Sequence, residues 1–158
     1  MKIKLIAVGK IKEDYLKMGI NEYLKRLSSY VNVEIIEVND APIKNDNEFE
    51  INKALEIEKE RILKNIKKDD YVIGLDLNKK QFDSIEFASY LSNAFIKGDS
   101  SLTFLIGGSY GFDKEVKQRF NDSFSLSKMT FIHQMSRLIL LEQIYRAFKI
   151  NRNETYHK

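Results

Sequence analysis

Leu102-Thr103-Phe104-Leu105-Ile106-Gly107-Gly108-Ser109-Tyr110-Gly111 runs from an apolar stretch into a turn with three glycines in five residues, and Leu126-Ser127-Lys128-Met129-Thr130-Phe131 follows a short way on. The first segment is a buried-type strand whose glycines let the backbone take positive φ and let a flat ligand approach with no Cβ in the way. The second mixes small hydroxyls, one cation and apolar side chains, then opens into a long apolar helix starting near His133. The two loops are expected to form the walls of a cofactor slot.

Working outward, Lys2 to Val8 reads as a strand, and Tyr15, Leu16, Ile20, Tyr23, Leu24 and Leu27 recur at helical spacing. Val31 to Val38 is the second strand. The polar loop Asn39 to Asn47 leads into a charged helix with its stripe on Ile51, Leu55, Ile62 and Ile66. Tyr71 to Leu75 is the third strand. Asp83 with Glu86 marks a helix start, Ile85, Ala88, Leu91 and Phe95 give its buried stripe, and Gly98 ends it. Leu102 to Ile106 and Phe124 to Leu126 are strands four and five. Apolar strands separated by helices predict an α/β fold: a mostly parallel sheet of five to six strands with helices on both faces. Ligands bind such sheets beyond the carboxyl ends of the strands, where both special loops begin.

At 158 residues the chain suits one domain, 1–158. With 43% hydrophobic and 31% charged residues it has the composition of a soluble globular protein, expected in the cytoplasm, with no membrane span or signal-peptide core. The absence of Cys excludes disulfides, thiol nucleophiles and Cys-ligated metals, and two His, at 133 and 157, leave little for a metal site. The net charge of +3 is uneven: residues 1–30 hold seven Lys/Arg against three Asp/Glu, residues 113–158 nine against five, and the middle ten against fifteen. If the two ends meet in space they form a basic face fit for phosphates.

The final helix, His133 to Ile150, has apolar residues at ten of eighteen positions, wider than one surface stripe. One face can pack on the sheet. A two-fold symmetric copy is the economical cover for the other. Glu142 and Arg146 are spaced to pair along it. The glycine turn is not G-x-G-x-x-G, and Lys128 stands where a dinucleotide fold wants an acid, which weighs against NAD; no Gly-Lys-Ser/Thr follows for a Walker loop. What remains is a narrow site of free backbone groups and apolar side chains, suited to an adenine edge and a thioether or sulfonium arm.

The chain closely resembles the SPOUT, or α/β-knot, methyltransferases, and within them the small family that methylates N3 of a pseudouridine in 23S ribosomal RNA. The resemblance is carried by Lys2-Ile3-Lys4 to Val8-Gly9-Lys10, Glu22-Tyr23 to Lys25-Arg26-Leu27, Ile106 to Gly111, Leu126 to Phe131, His133-Gln134, Glu142-Gln143-Ile144-Tyr145-Arg146-Ala147 and the terminal Tyr156-His157-Lys158. It implies a C-terminal trefoil knot, an exception to the rule that chains do not thread. It also implies a homodimer acting on 23S rRNA within the ribosome.

The same resemblance implies S-adenosyl-L-methionine bent in the knot, touched by Leu75, Gly107 and Leu126, Ser127, Lys128, Met129, Thr130 and Phe131. Leu75 and Leu126 can sandwich the adenine, and the Ser127 to Thr130 backbone can bond its edge. No metal is needed, because the donor is already activated. His157 is a candidate base or proton relay, Tyr156 a residue that orients the acceptor base, Lys158 a phosphate or anion contact, and His133 the second candidate base. Two positions depart from the family pattern: Ile132 replaces the usual Pro, and Asn153 a usual Gly whose left-handed backbone Asn tolerates. RNA contacts are expected from Lys10, Lys12, Arg137, Arg152 and Lys158. The rivals are a non-enzymatic RNA-binding dimer of the same fold and an NAD-dependent enzyme.

Overall fold

The computed structural model describes residues 1–158 throughout. Ten elements follow in chain order: β1 (Lys2–Val8), α1 (Asp14–Leu27), β2 (Asn32–Val38), α2 (Glu48–Leu63), β3 (Val72–Leu75), α3 (Ser84–Lys97), β4 (Ser101–Ile106), α4 (Lys114–Gln118), β5 (Asp122–Phe124) and α5 (His133–Asn151). The strands form one sheet in the order β2-β1-β4-β3-β5. Every ladder is parallel, with Ile6 opposite Leu105 and Gly74 opposite both Leu105 and Ser123. The sheet therefore has five strands and no antiparallel member.

The pleat divides the apolar strand residues between two cores. Ile3, Leu5 and Ala7 of β1 join Leu102, Phe104 and Ile106 of β4 on the face covered by α1, α3 and α5. Ile6, Val8, Val72 and Leu105 point the other way, against Ile62 of α2 and Val116 of α4. Strands loaded on both faces account for the continuous apolar runs in the sequence. Gly74 sits where a Cβ would lie 2.2 Å from the Phe120 ring, so β3 admits no side chain there.

Local signals set most boundaries. Asp83 accepts from the Glu86 amide while Glu86 accepts from the Asp83 amide, a complete capping box that starts α3. Gly98 ends the helix at φ −93°, so it is not the left-handed residue; Asp99 and Ser100 take positive φ instead. Asn153 also adopts positive φ, at 55°, as its side chain permits.

Four expectations need correction. On α3 Ile85 is 60% exposed, and Phe87 fills the core in its place. The inward row of α2 is Ala54, Glu58 and Ile62; Ile51 and Leu55 are only half-buried and Ile66 lies beyond the helix. Glu58 is drawn inward because its carboxylate accepts from the buried Ala41 amide at 2.9 Å. The fifth strand is Asp122–Phe124, earlier than expected, and Leu126 begins the following loop. The short helix α4, capped by Asp113, was not expected at all.

Much of the apolar width of α5 is covered within the chain. It packs between α1 and α3, burying Leu140, Leu141, Ile144, Ala147 and Phe148, while Met135, Leu138 and Ile139 remain half-buried. The breadth of this helix alone therefore does not require a second copy.

Candidate functional site

Strands β4, β3 and β5 are neighbours and run in the same direction, so their carboxyl-end loops lie side by side. Between those loops and the first turn of α5 lies a cavity of about 640 Å³, within the usual range for small-molecule sites. Leu75 and Asp76 form one wall, the glycine turn from Gly107 to Gly111 another, and Leu126 with Phe131 a third.

The glycine turn is a closed loop. Gly108 and Gly111 bridge, with the Gly111 amide donating to the Gly108 carbonyl at 3.1 Å. A Cβ on Gly107 would stand 2.8 Å from the Gly111 carbonyl oxygen, so a side chain there would force the turn apart. Gly111 itself has φ +79°. Tyr110 leaves the turn and donates its hydroxyl to Asp46 at 2.6 Å, a bond that raises the phenol's pKa.

Opposite, the loop after β5 is shaped by its own hydroxyls. Ser125 donates to the Ser127 carbonyl at 2.8 Å, and the Met129 amide donates to the Ser127 hydroxyl at 3.0 Å. The amides of Leu126, Ser127, Lys128, Thr130 and Phe131 donate to no group in the chain. Such a row of free N–H groups beside apolar walls can read the edge of a flat heterocycle. Of the residues expected to hold a cofactor, Leu75, Gly107, Leu126, Ser127, Met129, Thr130 and Phe131 all line the cavity. Lys128 does not; its side chain is exposed, so only its backbone can take part.

His133 lines the cavity at the start of α5. Its ring lies against Gly9, with Nε2 3.2 Å from where a Cβ would be, and Gly9 has φ +96°. Burial, and after it the charge of Arg137, holds the imidazole below its ordinary pKa, with Asp40 pulling the other way. It is therefore neutral at pH 7 and able to accept a proton. Ile132, which precedes it, has φ −59°, the angle a proline would impose, so the approach to α5 keeps its direction without the ring.

Arg137 is 1% exposed and cannot touch RNA, contrary to expectation. Its guanidinium donates to the Gly9 carbonyl at 2.6 Å and to Glu37, which also accepts from the Ile11 amide at 3.1 Å. The carbonyls at the end of β1 draw it inward, and it bolts the β1–α1 loop to α5. Lys10 and Lys12 on that loop are exposed, as are Arg152 and Lys158.

The terminal residues lie elsewhere. Tyr156 donates to Glu142 at 3.1 Å and meets the Tyr23 hydroxyl at 3.2 Å, while its ring packs edge-on against Tyr145. Arg146 pairs with Glu142, covers the Tyr156 ring and contacts His157 Nδ1 at 3.2 Å. Arg146 stands nearly four turns along α5 from His133, about 20 Å. Within one chain, Tyr156, His157 and Lys158 do not line the cavity. Of the four catalytic candidates, His133 alone lines the cavity of its own subunit.

The family model described as "Predicted SPOUT methyltransferase" matches residues 1–157. This chain belongs to the SPOUT methyltransferase family. It is 53% identical, over the full length of both chains, to proteins named "Ribosomal RNA large subunit methyltransferase H" from Carboxydothermus hydrogenoformans and from Bacillus cytotoxicus. A solved structure, of a probable methylase family protein from Haemophilus influenzae Rd KW20, overlays with a TM-score of 0.48 at 13% identity, over 96% of this chain and 66% of that one. That likeness is too distant to bear on activity. No helix is long and apolar enough to cross a membrane, and no three His, Cys, Asp or Glu residues cluster as a metal site.

Proposed function

We propose that this SPOUT methyltransferase is a cytoplasmic rRNA large-subunit methyltransferase that uses S-adenosyl-L-methionine to methylate N3 of a pseudouridine in 23S rRNA, as a homodimer and on the assembled ribosome. The observation that carries the cofactor is the cavity: its backbone amides are free on one side, Leu75 and Leu126 flank it, and Gly107 keeps it clear. The identity of the substrate rests on the full-length likeness to enzymes named for large-subunit rRNA.

In this reading Leu75 and Leu126 hold the adenine ring. The free amides of Ser127, Lys128 and Thr130 bond its edge, Lys128 taking part through its backbone alone. S-adenosylmethionine held there would supply a methyl carbon already activated by its sulfonium, with the thioether as leaving group, so that only the N3 proton would need a protein group. His133 is neutral, lines the cavity and is the acceptor for that proton supplied by the same subunit. Closure of the cavity walls holds the reacting groups in line, an effect worth up to roughly 7 to 11 kcal/mol in well-oriented systems.

Tyr156, His157 and Lys158 serve the cavity of a second copy, or reach their own when RNA draws the tail away from Glu142. Exposed apolar side chains on α1, Tyr15 at 60% and Met18 at 72%, supply surface for the homodimer. A trefoil knot, with the segment after β5 threaded through the loop after β4, is part of the same proposal. Lys10, Lys12, Arg152 and Lys158 are the phosphate contacts, so RNA binding weakens steeply with salt.

Tritiated methyl transfer tests the reading. Ribosomes are expected to accept label, and ribosomes lacking the pseudouridine are not. Equal labelling of both would remove the substrate assignment. Failure of S-adenosylmethionine to bind in calorimetry would leave an RNA-binding dimer without turnover.

A further inference from the structure

Apart from His133, the cavity lining contains two ionisable charges, Asp76 and Lys117. Asp76 follows Leu75 at the end of β3, and Lys117 stands on α4. The Asp76 side chain is only 16% exposed, yet no group in the chain donates a hydrogen bond to its carboxylate. Its sole cationic neighbour is the Lys117 ammonium at 3.7 Å, beyond hydrogen-bond reach.

Comparably covered carboxylates in the molecule behave differently. Asp70, 17% exposed, accepts from Lys4 and from the Lys67 amide, both at 2.8 Å. Asp122, 25% exposed, accepts twice from Lys80 and once from the Ser123 amide. A desolvated carboxylate costs free energy unless donors replace the lost water. Asp76 lacks them inside the chain and faces a cavity, which is where a ligand would supply them. Lys117 is 48% exposed, and its ammonium donates no hydrogen bond within the protein, so all three donors are available.

We infer that Asp76 and Lys117 form a subsite for the α-amino acid end of the methyl donor, Asp76 accepting from its ammonium and Lys117 donating to its carboxylate. The inference rests on the cofactor reading above. A zwitterion presents adjacent charges of both signs, and this pair matches it with no net charge left over. A ribose diol would occupy Asp76 and leave Lys117 without a role. The remainder of the lining, apolar side chains and free amides, suits the uncharged adenine.

Calorimetry on the full-length protein separates these possibilities. S-adenosylhomocysteine carries the amino acid end, and methylthioadenosine has the same nucleoside without it. Asp76→Asn and Lys117→Met are each expected to weaken S-adenosylhomocysteine about tenfold, the usual magnitude for one charged hydrogen bond, and to leave methylthioadenosine unchanged. Decarboxylated S-adenosylmethionine, which keeps the ammonium alone, is expected to respond to Asp76→Asn and not to Lys117→Met. Thermal melting of each variant checks its fold, and half-exposed Lys117 tolerates substitution even if Asp76 does not. An equal loss for methylthioadenosine would assign Asp76 to the nucleoside and overturn the subsite. Unchanged affinity for S-adenosylhomocysteine in both variants would overturn it while leaving the cofactor reading intact. A wild-type protein that binds neither nucleoside would overturn both.

Discussion

The two ends of α5 carry the same kinds of side chain and use them in opposite ways. At its start, around His133, the protein leaves polar groups open: the amides of Leu126, Ser127, Lys128, Thr130 and Phe131 donate to nothing, and the Asp76 carboxylate accepts from nothing. Further along, around Arg146, each of the main polar groups is already matched. Glu142 takes Arg146 and Tyr156, and Glu154 takes Lys149 and Tyr30 at 2.6 to 2.8 Å, while Arg26, Lys149 and Arg152 lie over tyrosine rings. A saturated cluster fastens the tail; an unsaturated cavity is built for something that is not part of the chain. Charge and aromatic content alone would have pointed to the tail.

The comparison breaks most sharply at Gly107. Gly107→Arg places a long cation in a turn where even a Cβ meets a carbonyl at 2.8 Å. No heat of binding with S-adenosylhomocysteine is expected, while the tail cluster keeps its contacts and the chain still melts cooperatively, at a temperature lowered by the forced turn. Retained binding would mean that the cavity is not where the cofactor sits.

The next largest effect is on stability, at the bolt between the two regions. Arg137→Met leaves Glu37 without its cation and the Gly9 carbonyl without its donor. Breaking such a pair costs about 3 kcal/mol, which lowers the melting temperature by roughly 6 to 12 °C in a chain of this length. Glu37 is partly exposed, so water softens the loss on that side. A shift near zero in a thermal melt would show that the β1–α1 loop is held by other means.

How far the sequence foretold this contrast depends on what decided each feature. β1, α1, α3 and α5 were legible because long runs average many weak signals, and Asp83 with Glu86 fixed a helix start by chemistry within four residues. Helix α4 was hidden: its five residues bury only Val116, too few for any periodicity. Ile85 and Phe87 exchanged roles because the α3 face is set by its neighbours Phe82 and Phe124 rather than by spacing alone. The cavity residues were found by glycine content and family likeness. Arg137 was misplaced, since nothing local shows that the carbonyls of Val8, the last residue of β1, and of Gly9 after it converge on α5. Asp76 had no signal at all, because a missing hydrogen bond exists only in three dimensions.

A smaller change probes the saturated end. Tyr156→Phe removes one hydroxyl between Tyr23 and Glu142, and Glu142 keeps Arg146. The cost is about 1 kcal/mol in chemical denaturation. Affinity for S-adenosylhomocysteine is expected to be unchanged, because the hydroxyl is remote from the cavity of its own subunit. Methyl transfer that falls further than stability would show that the tail acts at a second site, across a dimer or after release by RNA. Transfer unchanged would confine Tyr156 to fastening the tail.

The smallest expected effect is a displacement along the pH axis. Burial, then Arg137, lowers the His133 pKa beneath the ordinary value near 6.5. A base works deprotonated, so the acid limb of kcat/KM should fall below pH 6.5 and disappear in His133→Gln. The same shift has a stability consequence. As pH drops through about 6.5 the unfolded chain takes up the proton first, so the folded state loses stability until its own lower pKa is passed. Glu58 works with the opposite sign at lower pH: burial raises its carboxyl pKa, so acidification through that value favours the folded state. Comparing wild type with His133→Gln in urea melts between pH 5 and 7 isolates the histidine from the glutamate. An acid limb at or above 6.5 would move the proton acceptor away from His133, and the open end of α5 would then bind the cofactor while the chemistry depended on the tail.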